Sequence, residues 1–419
     1  MMLGWTICIA MLIIMACMPV GDPYWANPDD AKLDSDDQPE LYEAAIAAAN
    51  TNAPNQGGKY VMMMMLAAVG YLMANVCADG LVVELAQREP IAVRGTTQSA
   101  IYGVRTLFTI FGQLLVGFLF NGKEYGGNFD FSVSFPTLML IIAICVAPII
   151  PIVWFFVSEP KVQAANFYEY VADLWRLVQS RAVYQVIFYQ FFSGVFASIS
   201  WTAAAPVRRF LIGVTPLNNI IAGVISSFTF MIGIAVTGKY GLNWSWRWIT
   251  VVTGISVIAI DSIVTFLGVW DVVRNEWFWL GVPLAIQVPA GISFVIGTFV
   301  VVELAGEGNE GAMYGLLTTV SNLSSPFAAT ITKIINRQWD FTNKRIQGDS
   351  NGLRWDISYA VIIMYVSSIV SWGFLVFLPR QKAETQELKR NGGSSKIIGA
   401  ITVAYVFFAL VWSIMVNIM

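Results

Sequence analysis

The sequence predicts an all-α polytopic membrane protein with about eleven transmembrane helices. Of its 419 residues, 57% are hydrophobic and only 12% are charged, whereas soluble domains carry about 25% charged residues. The apolar residues form long continuous runs, close to the roughly 20 residues that a helix needs to cross a bilayer. They do not show the short alternating segments of about ten residues that are typical of a membrane barrel. These observations together exclude an ordinary soluble enzyme.

Eleven apolar segments are the predicted spans, and each has the continuous hydropathy of a helix that crosses a bilayer. They are residues 3–19, 60–80, 99–120, 136–157, 183–206, 217–236, 247–270, 277–303, 313–335, 356–378 and 397–418.

Three polar stretches separate groups of these segments. Residues 21–58 are acidic and of low complexity, which predicts a flexible loop, with a calcium site as the weaker alternative. Residues 158–182 predict an amphipathic helical connector. Residues 379–396 contain five Lys and Arg residues, which favours placing this stretch in the cytosol.

The composition excludes several kinds of chemistry. The chain has no histidine, which excludes histidine-ligated metals, histidine general bases and Ser-His or Cys-His nucleophiles. The formal net charge of −3 gives no basic footprint for a nucleic acid. We therefore expect no enzymatic activity, no cofactor, no metal centre and no nucleic-acid partner.

A few polar side chains lie within the predicted spans, where charged groups are costly and therefore often functional. Asp79 ends the second segment, and Arg105 lies in a polar stripe of the third that continues to Gln113. Arg105 either contacts a solute or gate, or forms a structural ion pair with Asp79 or Glu84.

Three further polar residues lie deep in later segments. Gln190 and Asn322 either contact a solute or serve helix packing, because an amide has several hydrogen bonds to satisfy. Asp261 is either protonated and silent or a site of proton binding.

The connection after the second segment is dense in charge. Glu84 and Arg88 have the i, i+4 spacing of a helical ion pair, and Pro90 is expected to end that helix. Glu89 and Arg94 add further charge before the next helix opens. Such a network at the membrane edge is predicted to hold one state of a conformational cycle.

The same stretch resembles the folate-biopterin transporter family, which belongs to the major facilitator superfamily. The resemblance rests on D-G-L-V-V-E at residues 79–84, R-E-P at 88–90, R-G-x-x-Q at 94–98 and the following Arg105. Residues 302–322, with Glu-Gly, Tyr-x-Leu-Leu and Ser-Asn elements, are similar to the stretch that leads into the family's eleventh helix.

The resemblance implies a 4 + 6 + 1 arrangement of helices. Residues 1–157 are then an N-terminal bundle that lacks the family's first two helices, and 158–182 are the cytosolic connector. Residues 183–378 are a six-helix C-terminal bundle, and 379–419 are a basic loop with an additional helix.

The resemblance also implies a function. The family leads us to expect alternating-access transport of folate, a pterin or a related anionic solute, with proton coupling, in the plasma membrane or an organelle membrane. The alternative is a truncated, non-transporting membrane protein or regulatory subunit. Asp79, Glu84, Arg94 and Arg105 match the family's charged motif, and Asn322 matches its eleventh-helix motif. With the polar stripes added, the residues predicted for substrate binding or coupling are Asp79, Arg105, Gln113, Gln190 and Asn322. The charge network predicts gating by Glu84, Arg88, Glu89 and Arg94. The expected partners are the solute and the bilayer.

Overall fold

A computed structural model describes residues 1–27, 30, 39–123, 127–157, 166–306 and 308–418. Within these ranges the chain is helical and contains no strand. The helices are α1 Met2–Cys17, α2 Pro39–Ala48, α3 Ala53–Gln87, α4 Thr96–Leu119, α5 Phe135–Val146, α6 Ile149–Phe156, α7 Phe167–Gln179, α8 Arg181–Ala197, α9 Ala204–Pro206, α10 Pro216–Val236, α11 Trp246–Val269, α12 Glu276–Gly281, α13 Gln287–Leu304, α14 Glu310–Asn336, α15 Asn343–Gln347, α16 Asn351–Ser371, α17 Lys382–Asn391 and α18 Lys396–Ile418.

Eight helical segments in the described ranges are long and apolar enough to cross a membrane. This finding confirms the predicted all-α, multi-pass membrane class. The eight are Ala53–Gln87, Thr96–Leu119, Phe135–Phe156, Pro216–Gly241, Trp246–Val269, Glu276–Leu304, Asn351–Phe377 and Lys396–Val416.

Each of the eleven predicted segments contains a helix, but three of these helices are not among the eight. With 16 and 17 residues, α1 and α8 are shorter than the roughly 20 residues of a full span. In α14 the length is sufficient at 27 residues, but threonine, serine and asparagine side chains lower its hydropathy.

The structure differs from the predicted flexible loop over residues 21–58. Residues Pro39–Ala48 form α2, whose alanines favour a helix, and α3 begins at Ala53. The acidic residues at 29, 34, 36 and 37, with the calcium alternative, lie outside the described residues. At its other end α3 continues beyond residue 80 to Gln87, because Val83 and Ala86 are fully buried there.

The chain divides into two compact units. The first comprises Met1–Ala78 and Phe111–Val162, and the second comprises Asp79–Ile110 and Gln163–Met419. In the first unit α1 packs against α5 around Leu12, Met15 and Ala143. Gly4 and Gly70 let α1 and α3 approach closely, since a Cβ atom at Gly4 would collide with the Gly70 carbonyl oxygen.

The second unit has its own apolar core. The helices α10 and α13 pack closely because Gly233 and Gly291 face each other's backbone. The C-terminal helix α18 packs on α14, where the rings of Phe327 and Trp412 are 5.7 Å apart. The helix α11 begins at Trp246, whose amide donates to the Arg380 carbonyl (2.8 Å). Of the predicted connector, residues 158–165 lie outside the described residues, and α7 follows with Asn166 as its N-cap. The predicted 4 + 6 + 1 division of the chain remains a prediction.

Candidate functional site

The charged connection between α3 and α4 is built as a tight turn. Helix α3 ends at Gln87, before Pro90, and α4 begins at Thr96. Between them Gly95 adopts a φ of +102°, and a Cβ atom there would collide with the Phe299 ring. Only glycine fits this position without strain. The predicted end of one helix and opening of the next are both confirmed.

Glu89 caps the first turn of α4. Its carboxylate accepts hydrogen bonds from the Gly95 amide (2.7 Å), the Thr97 amide (2.9 Å) and the Thr97 hydroxyl (2.5 Å). Burial alone would raise the pKa of Glu89, but the hydrogen bonds from Thr97 and Gly95 outweigh it and lower the pKa below its ordinary value. The carboxylate therefore stays ionised and satisfies amides that the helix leaves without a partner.

Arg94 pairs with a carboxylate that the sequence did not single out. Its Nη1 atom lies 3.1 and 3.2 Å from the two carboxylate oxygens of Glu303, at the end of α13. The Glu303 side chain is only 1% exposed and also accepts from Gln386 Nε2 (2.6 Å) on α17. A buried carboxylate needs such partners, because desolvation of an unpaired charge is costly.

Two lysines of α17 complete this arrangement. Lys382 Nζ donates to the Arg94 carbonyl (2.8 Å), and Lys389 Nζ donates to the Ala305 carbonyl (2.8 Å) at the C-terminus of α13. Burial lowers the pKa of both lysines, although Glu303 partly opposes this effect. The cations stabilise carbonyl groups that the turn and the helix end leave unpaired. We call Arg94, Glu303, Lys382, Gln386 and Lys389 the α17 network.

Asp79 and Arg105 meet slightly more than two helical turns away from the ends of α3 and α4 that flank this turn. Arg105 Nη1 lies 3.6 Å from Asp79 Oδ1; the Asp79 side chain is 5% exposed and that of Arg105 is 45% exposed. The Tyr314 hydroxyl on α14 lies within hydrogen-bonding range of Asp79. The ion pair that was the structural alternative for Arg105 is therefore present, and a large part of the arginine remains accessible.

The helices that carry these groups meet at a pair of glycines. A Cβ atom on Gly80 would lie 3.2 Å from the Gly311 Cα, so α3 and α14 touch through their backbones next to Asp79. At the C-terminal end of α3, the predicted ion pair of Glu84 and Arg88 is present, with the Arg88 side chain 63% exposed. In the described part of the chain, neither side chain hydrogen-bonds to the α17 network.

The other predicted polar residues are dispersed. Gln190 lies on α8, and its Oε1 atom is buried without a hydrogen-bond partner among the described residues. Asn322 is exposed on α14, and Gln113 belongs to the first compact unit. Asp261 accepts a hydrogen bond from the Tyr365 hydroxyl (2.6 Å), which links α11 to α16. The roles of these residues remain predictions.

A second charge cluster lies at the far end of α11 from Arg380. Asp349 accepts two hydrogen bonds from Arg274 (2.5 and 2.9 Å) and two from Arg354 (2.7 and 3.0 Å). The hydrogen bond from Arg274 lowers the pKa of Asp349 strongly, with Arg354 adding to the effect against the opposing burial. Asp271 also pairs with Arg274, at 3.3 Å. Asp271 and Asp349 both have a positive φ, which is unfavourable for residues other than glycine, and their ion pairs stabilise the two turns.

Sequence reasoning missed Glu303, Lys382, Gln386 and Lys389 as partners of Arg94. Glu303 lies in the stretch that carries the second family resemblance, but a single glutamate at the end of an apolar segment is a weak signal. The α17 residues lie about 290 positions from Arg94, and no local pattern relates such distant positions.

Comparison with known proteins agrees with the residues that carry the family resemblance. A family model described as the BT1 family matches residues 44–397. The chain is also similar to a folate-biopterin transporter from Synechocystis sp., with 20% identity over 345 residues. That match covers 80% of this chain and 65% of the relative, so the chain spans just under two thirds of the relative's length. Since the family model covers well over half of the sequence, the chain belongs to the BT1 family.

Proposed function

We propose that this protein is a secondary transporter that moves folate, a pterin or a related anionic solute across a membrane by alternating access. Membership of the BT1 family and the name of the Synechocystis relative support the solute class. The eight membrane-spanning segments supply the scaffold that such a cycle needs. The absence of histidine leaves carboxylates as the groups that would carry a coupled proton.

The observation that carries this proposal is the α17 network. It ties the α3–α4 turn to the C-terminus of α13 and to α17 through the Arg94–Glu303 pair and the two lysines. These contacts lie at one end of α13 and involve groups that are costly to separate without new partners. A cluster of this kind suits a gate that is closed in one state and opens as a unit in the other.

Arg105 is the proposed contact for the solute. Folates carry carboxylates, and a guanidinium binds a carboxylate through two parallel hydrogen bonds. The Asp79 pair holds the arginine at 3.6 Å, which is longer than a good hydrogen bond. An anionic solute that competes with Asp79 for Arg105 would alter the carboxylate's environment, which gives a physical route to proton coupling.

The test is uptake of labelled folate and labelled biopterin into proteoliposomes that contain the purified chain. We expect Arg105→Ala to reduce uptake at least tenfold, since each lost charge-assisted hydrogen bond costs about 1.5–3 kcal/mol. Arg105→Lys keeps the charge but loses bidentate geometry, so an intermediate rate is expected. Imposing an inward proton gradient on the same vesicles tests coupling.

The matched control is Arg208→Ala, which removes an exposed arginine that bonds Asn219 on the same unit. Its uptake should equal that of the unmodified protein at equal reconstitution. If Arg105→Ala also transports normally, Arg105 does not bind the solute. If the unmodified chain neither takes up nor exchanges either compound, the transport proposal fails and the non-transporting alternative is favoured.

A further inference from the structure

A groove with a volume of about 600 Å³ runs between α4 and α10 in the second compact unit. Ala100, Gly103 and Leu107 form part of its α4 wall, and Met231 and Ala235 form part of its α10 wall. The volume is within the range of about 300–1,000 Å³ that small-molecule sites occupy. Both helices are long and apolar enough to cross a membrane, so a bilayer would bring lipid chains to this groove.

One charged side chain stands at the end of this apolar groove. Among the described residues that line it, Lys239 alone carries a charge. It lies in the π-helical turn Thr237–Gly241 that follows α10, a geometry that often marks functional positions. Gly238 brings this turn against α4, because a Cβ atom there would lie 2.7 Å from the Ser99 Cβ. The lysine is therefore placed where the groove leaves the apolar region.

The depth of Lys239 fits the headgroup layer. It follows the last turn of α10. Its neighbour Gly238 faces Ser99 in the first turn of α4, just after the α3–α4 turn. This is the end of the unit that holds α17, whose basic stretch is predicted to face the cytosol. Anionic lipids give the cytosolic leaflet its negative surface potential.

We infer that this groove is a binding site for an anionic phospholipid. The acyl chain lies along the apolar walls of α4 and α10, and the phosphate is paired with Lys239. Charge complementarity selects this occupant: a neutral lipid would fill the walls equally well but would leave Lys239 without an anion. The lipid site involves neither Arg105 nor Asp79 and does not depend on which solute is transported.

The experiment is a titration of the detergent-solubilised protein with phosphatidylglycerol and, separately, phosphatidylcholine, in which native mass spectrometry counts the bound lipids. We expect tighter binding of phosphatidylglycerol to the unmodified chain. Lys239→Ala should weaken that binding about fivefold while leaving phosphatidylcholine binding unchanged. Lys239→Arg should retain it.

Two further variants distinguish lipid binding in this groove from a general effect of surface charge. Arg390→Ala removes an exposed cation of α17 outside the groove and should bind phosphatidylglycerol as the unmodified protein does. Gly103→Leu keeps Lys239 but fills the groove, where a new Cβ atom meets no neighbour within 4 Å, and should weaken both lipids. Ala100→Leu provides the same test if Gly103→Leu does not elute as a monodisperse protein.

Equal weakening by Lys239→Ala and Arg390→Ala would overturn the inference, because it would show a diffuse charge effect. Unchanged binding in both groove-filling variants would overturn it as well. Since the readout is lipid bound to the resting protein, failure of this inference leaves the transport proposal untouched, and loss of transport leaves the lipid result interpretable.

Discussion

Glu303 shows how one buried carboxylate organises an entire end of the second unit. It is almost completely buried, yet it interacts with an arginine from the α3–α4 turn and an amide from α17. Its carboxylate is the common acceptor for two other chain segments, which it joins to the end of α13. Removing one partner of this pair is expected to destabilise the protein more than replacing both partners, because it leaves a buried charge uncompensated.

At this position we predict that Arg94→Ala lowers the free energy of unfolding by about 3 kcal/mol, the usual cost of breaking a buried pair. The double variant Arg94→Ala with Glu303→Gln should recover part of the loss, because the uncompensated charge is then gone. Thermal unfolding in detergent micelles measures both. Equal stability of Arg94→Ala and the unmodified protein would show that the pair contributes nothing.

Glu89 makes a separate prediction that depends on pH. Its pKa is lowered in the folded state, so its contribution is present above the unfolded value of about 4.3 and is lost as the pH falls through the lower folded value. Glu89→Gln should cost about 1 kcal/mol at pH 7, as loss of a helix cap does. The difference from the unmodified protein should shrink below pH 4 in unfolding measurements across pH 3–8. A constant difference over that range would contradict the assignment.

At the scale of elements, the contact of α3 with α14 depends on glycine. A Cβ atom on Gly80 would lie only 3.2 Å from the Gly311 Cα, so the contact leaves little room for a methyl group and none for a larger side chain. The same crossing positions Asp79, Gly80's neighbour, beside Tyr314. In the D-G motif, Gly80 therefore permits the close contact of α3 with α14, and the adjacent Asp79 carries the charged side chain at that contact.

We predict that Gly80→Leu destabilises the protein by about 1–3 kcal/mol, the usual cost of overpacking a close contact. Gly315→Ala on α14 is the control, since its new Cβ atom has no neighbour within 4 Å. Helix propensity should make that variant neutral or up to about 1 kcal/mol more stable. Thermal unfolding distinguishes the two, and equal effects would mean that the crossing is not tightly packed.

At the scale of the whole molecule, the α17 network predicts a population shift. If its contacts form only when that end is closed, weakening the closed state by about 1.4 kcal/mol raises the open population about tenfold. A cysteine at Ala305, which is buried and whose carbonyl accepts from Lys389, reports this opening in a background where Cys8, Cys17, Cys77 and Cys145 are replaced by serine. Adding Arg94→Ala should increase its rate of labelling by a water-soluble maleimide about tenfold.

Arg208→Ala in the same background is the control and should leave the labelling rate unchanged. A rate that does not respond to Arg94→Ala would mean that the α17 network is a permanent structural support rather than part of a gate.

The sequence by itself determined the membrane class, the place of every apolar segment and the family, because hydropathy and short motifs are local properties. It also located Asp79, Arg105 and the Glu84–Arg88 pair, which neighbours along one helix or across one turn can specify. It did not determine which helices qualify as full spans, since α14 combines length with polar side chains.

Only the tertiary structure decided the partners of Arg94. Glu303 is 209 positions away, and Lys382 is 288 positions from the same residue, so their meeting depends on how the helices pack. It also decided between the possible partners of Arg105, which pairs with Asp79 at 3.6 Å. Helical spacing fixes which side chains share a face, but only packing determines what that face contacts.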